Sequence, residues 1–245
     1  MNLCVDIGNT RAKIGLFQGE NLVQRLVWKD WTVDQLIEFG VQNGVKSLLY
    51  ASVVQHDAAL TKQLSHHFQT MELTTDTSLP FENQYHTPHT LGKDRLAAVA
   101  GAQALFPNEN CLVIDCGTCI KYDILTSEGV YLGGNISPGA NMRIQAMHHF
   151  TARLPTVPME MPGDFIGHST ESALQNGALR GASLEIDGFI KHFKQKYASL
   201  HVVLTGGDAN FFQAYLPLPN DSIVPDLILY GLNNILTFHR ETQLP

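Results

Sequence analysis

Two short stretches of this chain set a carboxylate and a glycine between apolar runs. The first is Asp6-Ile7-Gly8-Asn9-Thr10-Arg11-Ala12-Lys13, flanked by Leu3-Cys4-Val5 and Ile14-Gly15-Leu16-Phe17. The second is Asp115-Cys116-Gly117-Thr118, flanked by Leu112-Val113-Ile114 and Ile120-Lys121-Tyr122. With Asp6 aligned on Asp115, Gly8 falls on Gly117. A glycine lets the backbone come close to an anion, and successive N–H groups can form an anion nest. A carboxylate at a strand end can hold Mg²⁺ directly or through water. Asp, Gly and Asn are also ordinary turn residues, so either stretch alone reads as a simple hairpin. Their repetition with matching flanks favours chemistry: two turns that could hold a metal-bound polyphosphate between them.

Two further clusters carry usable groups. Gly92-Lys93-Asp94-Arg95 opens a helical pattern behind a polar loop. Asp94 there reads equally as a helix cap or as a base kept ionised by the helix dipole. Arg95 offers a fork that can grip a carboxylate. Thr205-Gly206-Gly207-Asp208-Ala209 closes an apolar strand, and its paired glycines would let a flat ring lie against the backbone. Gly133-Gly134 closes another strand in the same way.

These groups need elements to hold them. A strand hairpin is expected over Asn2–Phe17 with a partner near Leu22–Trp28, then a helix over Thr32–Asn43, capped by Thr32 with Gln35 three residues on. A strand (Ser47–Val53), a helix (about Asp57 to Phe68), a short strand and a polar loop (Thr74–Thr90) lead into a helix over Leu91–Phe106. Strands follow at Cys111–Ile114, Lys121–Thr126 and Val130–Ile136, then a turn at Ser137-Pro138-Gly139 and a helix over Asn141–Phe150. Thr170–Lys196 is the longest helical pattern. Gly177, Gly181 and Gly188 within it suggest close helix contacts or a split into two helices. A strand at His201–Leu204 and a helix at Asp226–Phe238 complete the chain. Strand hairpins followed by strand–helix alternation, twice over, indicate two α/β domains with mixed sheets. The division expected is 1–108 and 109–245.

Bulk properties exclude several classes. The chain has 245 residues and a net charge of −7, with Lys and Arg scattered, so a nucleic-acid footprint is not expected. No apolar stretch approaches the ~18 residues of a membrane span. The chain begins directly with strand-like residues, so no signal peptide is read there. Cys4, Cys111, Cys116 and Cys119 lie mostly in buried strands, the pattern of reduced thiols in a cytoplasmic protein. Cys116 and Cys119 have C-x-x-C spacing without a second pair, so zinc is not indicated. Cys119 receives no role. P-loop, Rossmann and nucleophile-elbow motifs are all missing from the sequence.

Together these motifs resemble the actin-like ATPase superfamily and, within it, type III pantothenate kinase. The resemblance spans essentially the whole chain. It rests on Asp6-x-Gly-Asn-Thr-x-x-Lys13, Gly92-x-Asp-Arg95, Asp115-x-Gly-Thr118, Gly133-Gly-x-Ile-x-Pro-Gly139, Thr205-Gly-Gly-Asp-Ala209, Pro225-Asp-Leu227 and Gly231-Leu232. It implies two ribonuclease-H-like domains, with ATP between them. It also implies transfer of phosphate to the primary hydroxyl of pantothenate, giving 4'-phosphopantothenate, the first step towards coenzyme A. Residues Asp6 to Lys13 (Asp6, Ile7, Gly8, Asn9, Thr10, Arg11, Ala12, Lys13), with Thr118, Gly206 and Gly207, would hold ATP. Asp94 would be the base. Tyr85, Gly92, Lys93, Asp94, Arg95 and Thr170 would contact pantothenate, with Thr170 reaching the partner's site in a homodimer. Asp6 would serve Mg²⁺, and Asp115 a potassium or ammonium ion that strongly activates the enzyme. Two other readings stand beside this one: a transcriptional accessory protein of the same family, and another small-molecule kinase on the same scaffold.

Overall fold

The computed structural model describes residues 1–8, 11–52, 59–197 and 199–242. The opening apolar runs pair as expected. β1 (Asn2–Ile7) lies antiparallel to β2 (Ala12–Gln18) and parallel to β4 (Ser47–Ser52); β3 (Asn21–Trp28) and β5 (Gln69–Glu72) take the edges, in the order β3-β2-β1-β4-β5. β1 and β4 are buried along nearly their whole length, because helices cover both faces of the sheet. One face carries Leu3, Val5, Ile14, Leu48 and Tyr50, packed with Leu36 of α1 (Val33–Gln42) and Leu60 and Leu64 of α2 (Ala59–Ser65). Thr32 caps α1 in a capping box with Gln35, as the sequence predicts.

The other face is met by α3 (Lys93–Leu105) and α8 (Leu227–Thr242). The last helix therefore belongs with the first half of the chain. Met1–Asn108, Leu125–Gly133 and Asp226–Pro245 form one compact unit, and Glu109–Ile124 with Gly134–Pro225 form the other. The expected division at residue 108 coincides with one edge of these units. The chain then crosses between them three more times. The last crossing rests on contacts between residues far apart in the chain. A Cβ on Gly231 would lie 1.7 Å from the Ala97 carbonyl oxygen, so only glycine lets α8 press onto α3. Asn234 donates to the Ala100 carbonyl at 3.0 Å, and Asp226 pairs with Arg25 at 2.6 Å.

The second sheet has the order β10-β7-β8-β9-β6. Its strands are β6 (Glu82–Asn83), β7 (Asn110–Cys116), β8 (Cys119–Leu125), β9 (Val130–Pro138) and β10 (Leu200–Thr205). β9 runs two residues further than expected, and Gly139 caps α4 (Ala140–His149). The core of the second unit gathers Leu112, Ile114, Tyr122, Ile144, Ile186 and Phe212. The long helical pattern is split. α5 (Thr170–Gln175) passes through a π-helical turn, Asn176–Arg180, into α6 (Gly181–Lys196). The glycines there are not helix crossings among the described residues: a Cβ on Gly177 or Gly188 would meet nothing within 4 Å. α7 (Ala209–Gln213) follows β10.

Candidate active site

The first carboxylate turn lies at the end of β1. Asp6 is paired in register with Lys13 across the hairpin, both half-buried, and Gly8 N–H donates to the Arg11 carbonyl at 3.0 Å. Arg11 is exposed, and Ile7 and Ala12 are buried beneath the turn. Asn9 and Thr10 lie outside the described residues.

The second group forms around the start of α3. Gly92 is the N-cap, so Asp94 stands in the first helical turn and is not the cap. Its Oδ1 accepts from the Arg95 N–H at 3.0 Å, which turns the carboxylate back over Gly92. The dipole of a 13-residue helix favours a negative charge at this end. Arg95 is only 4% exposed, and its guanidinium carbon sits 5.3 Å above the Tyr85 ring, a cation–π arrangement. Behind Tyr85 lies Tyr131, stacked at 6.3 Å with a 14° interplanar angle and fully buried. Phe81 meets Tyr131 edge-on. Gly133, at φ +102°, lies against Tyr85, where a Cβ would come within 3.0 Å of the ring. Lys93 does not extend from this group into solvent, because its ammonium donates to Glu72 at 2.8 Å. Glu72 also accepts from the Tyr50 hydroxyl.

A third group is built in the other unit by strand pairing. β10 runs parallel to β7 with Thr205 opposite Asp115, so the Gly206-Gly207 turn emerges beside Asp115-Cys116-Gly117. Gly206 has φ +94°, and a Cβ there would lie 2.4 Å from the Cys116 carbonyl oxygen and 2.5 Å from Asp115 Oδ1. Asp208 N–H donates to the Cys116 carbonyl at 2.9 Å, and burial raises the Asp208 carboxyl above its usual range. Thr118 is exposed, and its carbonyl accepts from Gly139 N–H at 3.1 Å. The segment before Gly139 is anchored by Glu185, which accepts from Ser137, Tyr122 and Arg143. Burial works to raise the Glu185 carboxyl, but these bonds outweigh it and hold it lower. Thr170 opens α5 in an exposed position, behind the capping pair Ser169 and Ser172.

Several of these residues were not foreseen from sequence. Tyr131, Glu72 and Glu185 act through side chains distant in the chain, and single-sequence patterns carry no such pairing. Lys121 was detectable: it is the one basic residue in the apolar strand that follows the second turn. Its Nζ lies 2.6 Å from Asp115 Oδ2, with the two side chains only 18% and 15% exposed. Three of the four cysteines are quiet. Burial pushes Cys111 up to about 12 and raises Cys4 and Cys116 beyond the ordinary thiol range.

Among the described residues, no three His, Cys, Asp or Glu side chains gather to hold a metal. A single carboxylate beside a glycine turn still suits Mg²⁺, which keeps several waters and relies on substrate phosphates. Asp6, at a strand end beside a glycine turn, fits that pattern. No helix among the described residues is long and apolar enough to cross a membrane.

The family model described as type III pantothenate kinase matches residues 2–192. A type III pantothenate kinase of Christiangramia forsetii is 39% identical over 244 residues, covering 98% of this chain and 99% of the relative. One from Bacteroides fragilis is 42% identical over 242 residues, covering 98% of each. Among solved structures, a Campylobacter jejuni protein described as a Baf family transcriptional activator matches with TM-score 0.63 at 24% identity, over 98% of this chain and 99% of that one. A ROK family protein of Streptococcus pneumoniae matches with TM-score 0.52 at 11% identity, over 98% and 99%. At those identities the two structures speak for a shared fold: two mixed sheets flanked by helices. By the match of its sequence along nearly its full length, the chain belongs to the type III pantothenate kinase family.

Proposed function

We propose that this protein transfers the γ-phosphoryl group of ATP to the primary hydroxyl of pantothenate, giving 4'-phosphopantothenate and ADP, the first step of coenzyme A synthesis. The observation that carries the reading is the group at the start of α3: an aromatic ring, a half-buried carboxylate and a guanidinium, all held by fixed backbone. Asp94 accepts the hydroxyl proton as the oxygen attacks γ-phosphorus, and the bond to the bridging oxygen of ADP breaks. Arg95 and Tyr85, with Gly92 and Lys93 shaping the turn, hold pantothenate so that its hydroxyl meets Asp94. Asp6 to Lys13, Thr118, Gly206 and Gly207 hold ATP through backbone donors that glycine leaves accessible. Thr170 completes the pantothenate site of a partner subunit in a cytoplasmic homodimer.

Mg²⁺ held near Asp6 neutralises charge on the transferring phosphoryl group when bound. A potassium or ammonium ion is assigned to Asp115. The chemistry of that carboxylate suits a hard monovalent cation, and its Oδ1 faces the Gly117 and Gly206 turns. Its Oδ2 is taken by Lys121. The net charge of −7 and the identity of about 40% to pantothenate kinases argue against a transcriptional role on this scaffold. The deciding assay is ADP release with Mg-ATP against a panel of primary alcohols that includes pantothenate and hexoses. Pantothenate should be turned over far faster than any sugar. A preference for a sugar would overturn the substrate and leave the fold untouched.

A further inference from the structure

The Asp115 carboxylate has two oxygens in different surroundings. Oδ2 is held by the Lys121 ammonium at 2.6 Å, in a pair that is mostly shielded from water. Oδ1 points the other way, at the glycine turns: a Cβ on Gly206 would strike it at 2.5 Å, and one on Gly117 would lie 3.5 Å from it. One negative charge is therefore shared between an ammonium of the chain itself and the side that faces the glycine turns.

This arrangement bears on the monovalent ion. An ion at Oδ1 would meet a carboxylate already neutralised from its other side, and it would be repelled by a fixed like charge a few ångströms away. Partial shielding makes that repulsion matter more than it would in open solvent. β8 pairs with its neighbours on both sides, so the strand bearing Lys121 is fixed and the ammonium need not be recruited from solution.

We propose that Lys121 is a built-in cation at Asp115. It supplies permanently part of the positive charge that a potassium or ammonium ion would bring, so the enzyme depends only weakly on such ions. Lys121 is a positioning residue here, acting through Asp115. The inference rests on the assignment of Asp115 as the ion's ligand. It replaces the strong potassium activation that the family resemblance implies.

The test uses the full-length protein, with KCl exchanged for choline chloride at constant ionic strength. Two quantities are read: the rate of ADP release with pantothenate, and the melting temperature as a function of potassium. The second reports ion binding without turnover, because a ligand that binds only the folded state raises stability with its concentration. The parent should keep most of its activity in choline chloride, and its melting temperature should respond little to potassium. Lys121→Met keeps the length of the side chain and removes the charge. Its apparent potassium affinity should rise by about ten-fold or more, and its activity without potassium should fall by a similar factor. Lys121→Arg should restore the parental pattern. Equal potassium dependence of parent and Lys121→Met, in both rate and melting, would overturn the proposal. If Lys121→Met does not fold, Lys121→Gln against Lys121→Arg makes the same comparison. A parent that fails to phosphorylate pantothenate would sink the proposed function, while the melting data would still decide the role of Lys121.

Discussion

Adding one methyl group at Gly92 tests the site more sharply than removing a side chain. Gly92 has φ −60° and ψ 132°, a conformation open to any residue, so alanine there carries no backbone strain. The one severe collision of its Cβ is with Asp94 Oδ1, at 2.4 Å; the next atoms, Asp94 Cγ and Arg95 Cγ, lie at ordinary distances of 3.6 and 3.8 Å. Relief requires the carboxylate oxygen to retreat by about 1 Å, and a misplacement of that size can cost roughly 10²-fold in rate. Stability should change little. Alanine is the poorer N-cap by about 1 kcal/mol, and the loss of unfolded-state entropy offsets about 0.4–1 kcal/mol of that. For a chain of this size the melting temperature should therefore move by no more than about 2–4 °C. The assay is coupled ADP release, with kcat and KM determined separately for ATP and pantothenate. We expect kcat to fall about a hundred-fold and KM for ATP to stay put. The Gly92→Ala, Asp94→Asn double variant should lose no more than Asp94→Asn alone, because both changes act on one group. Parental kcat in a folded Gly92→Ala enzyme would refute the idea that the position of the Asp94 carboxylate matters.

Asp94→Asn keeps the shape of the side chain and removes the base, so turnover should drop by roughly 10²–10⁴ with little change in melting; a parental rate would end the base assignment. Asp6→Ala should collapse turnover while the circular dichroism spectrum stays native, and near-normal activity would return Asp6 to the role of a hairpin residue. Glu185 contributes to acid stability. Its folded carboxyl lies below the ordinary glutamate value, so its stabilising effect is present above about 4.3 and is lost as pH falls through the lowered folded value. Melting curves of Glu185→Gln between neutral and acid pH should therefore converge on the parent at the acid end; a gap that widens towards low pH would reverse the sign of that linkage.

Much of this protein was determined by local pattern. The two Asp-x-Gly turns, the Thr32 capping box and the helix opening at Gly92-Lys93-Asp94-Arg95 are set by residues within a few positions of each other, so period, glycine and cap chemistry predict them. The same holds for the α/β class, because continuous apolar strands such as Leu48–Ala51 need helices on both faces. Other features were decided only by tertiary structure. Where the last helix belongs depended on Gly231 meeting the Ala97 carbonyl across the chain, and a glycine in sequence does not name its partner. Asp115 looked like a bare carboxylate until strand pairing placed Lys121 on one oxygen and Gly206 on the other. Lys93, read as a substrate contact, has its ammonium on Glu72, and Tyr85 gained its backing from Tyr131, a strand away. Each of these depends on which distant side chain fills the space next to a group. That choice is made when the sheets and helices pack, and it leaves no periodic trace in the chain.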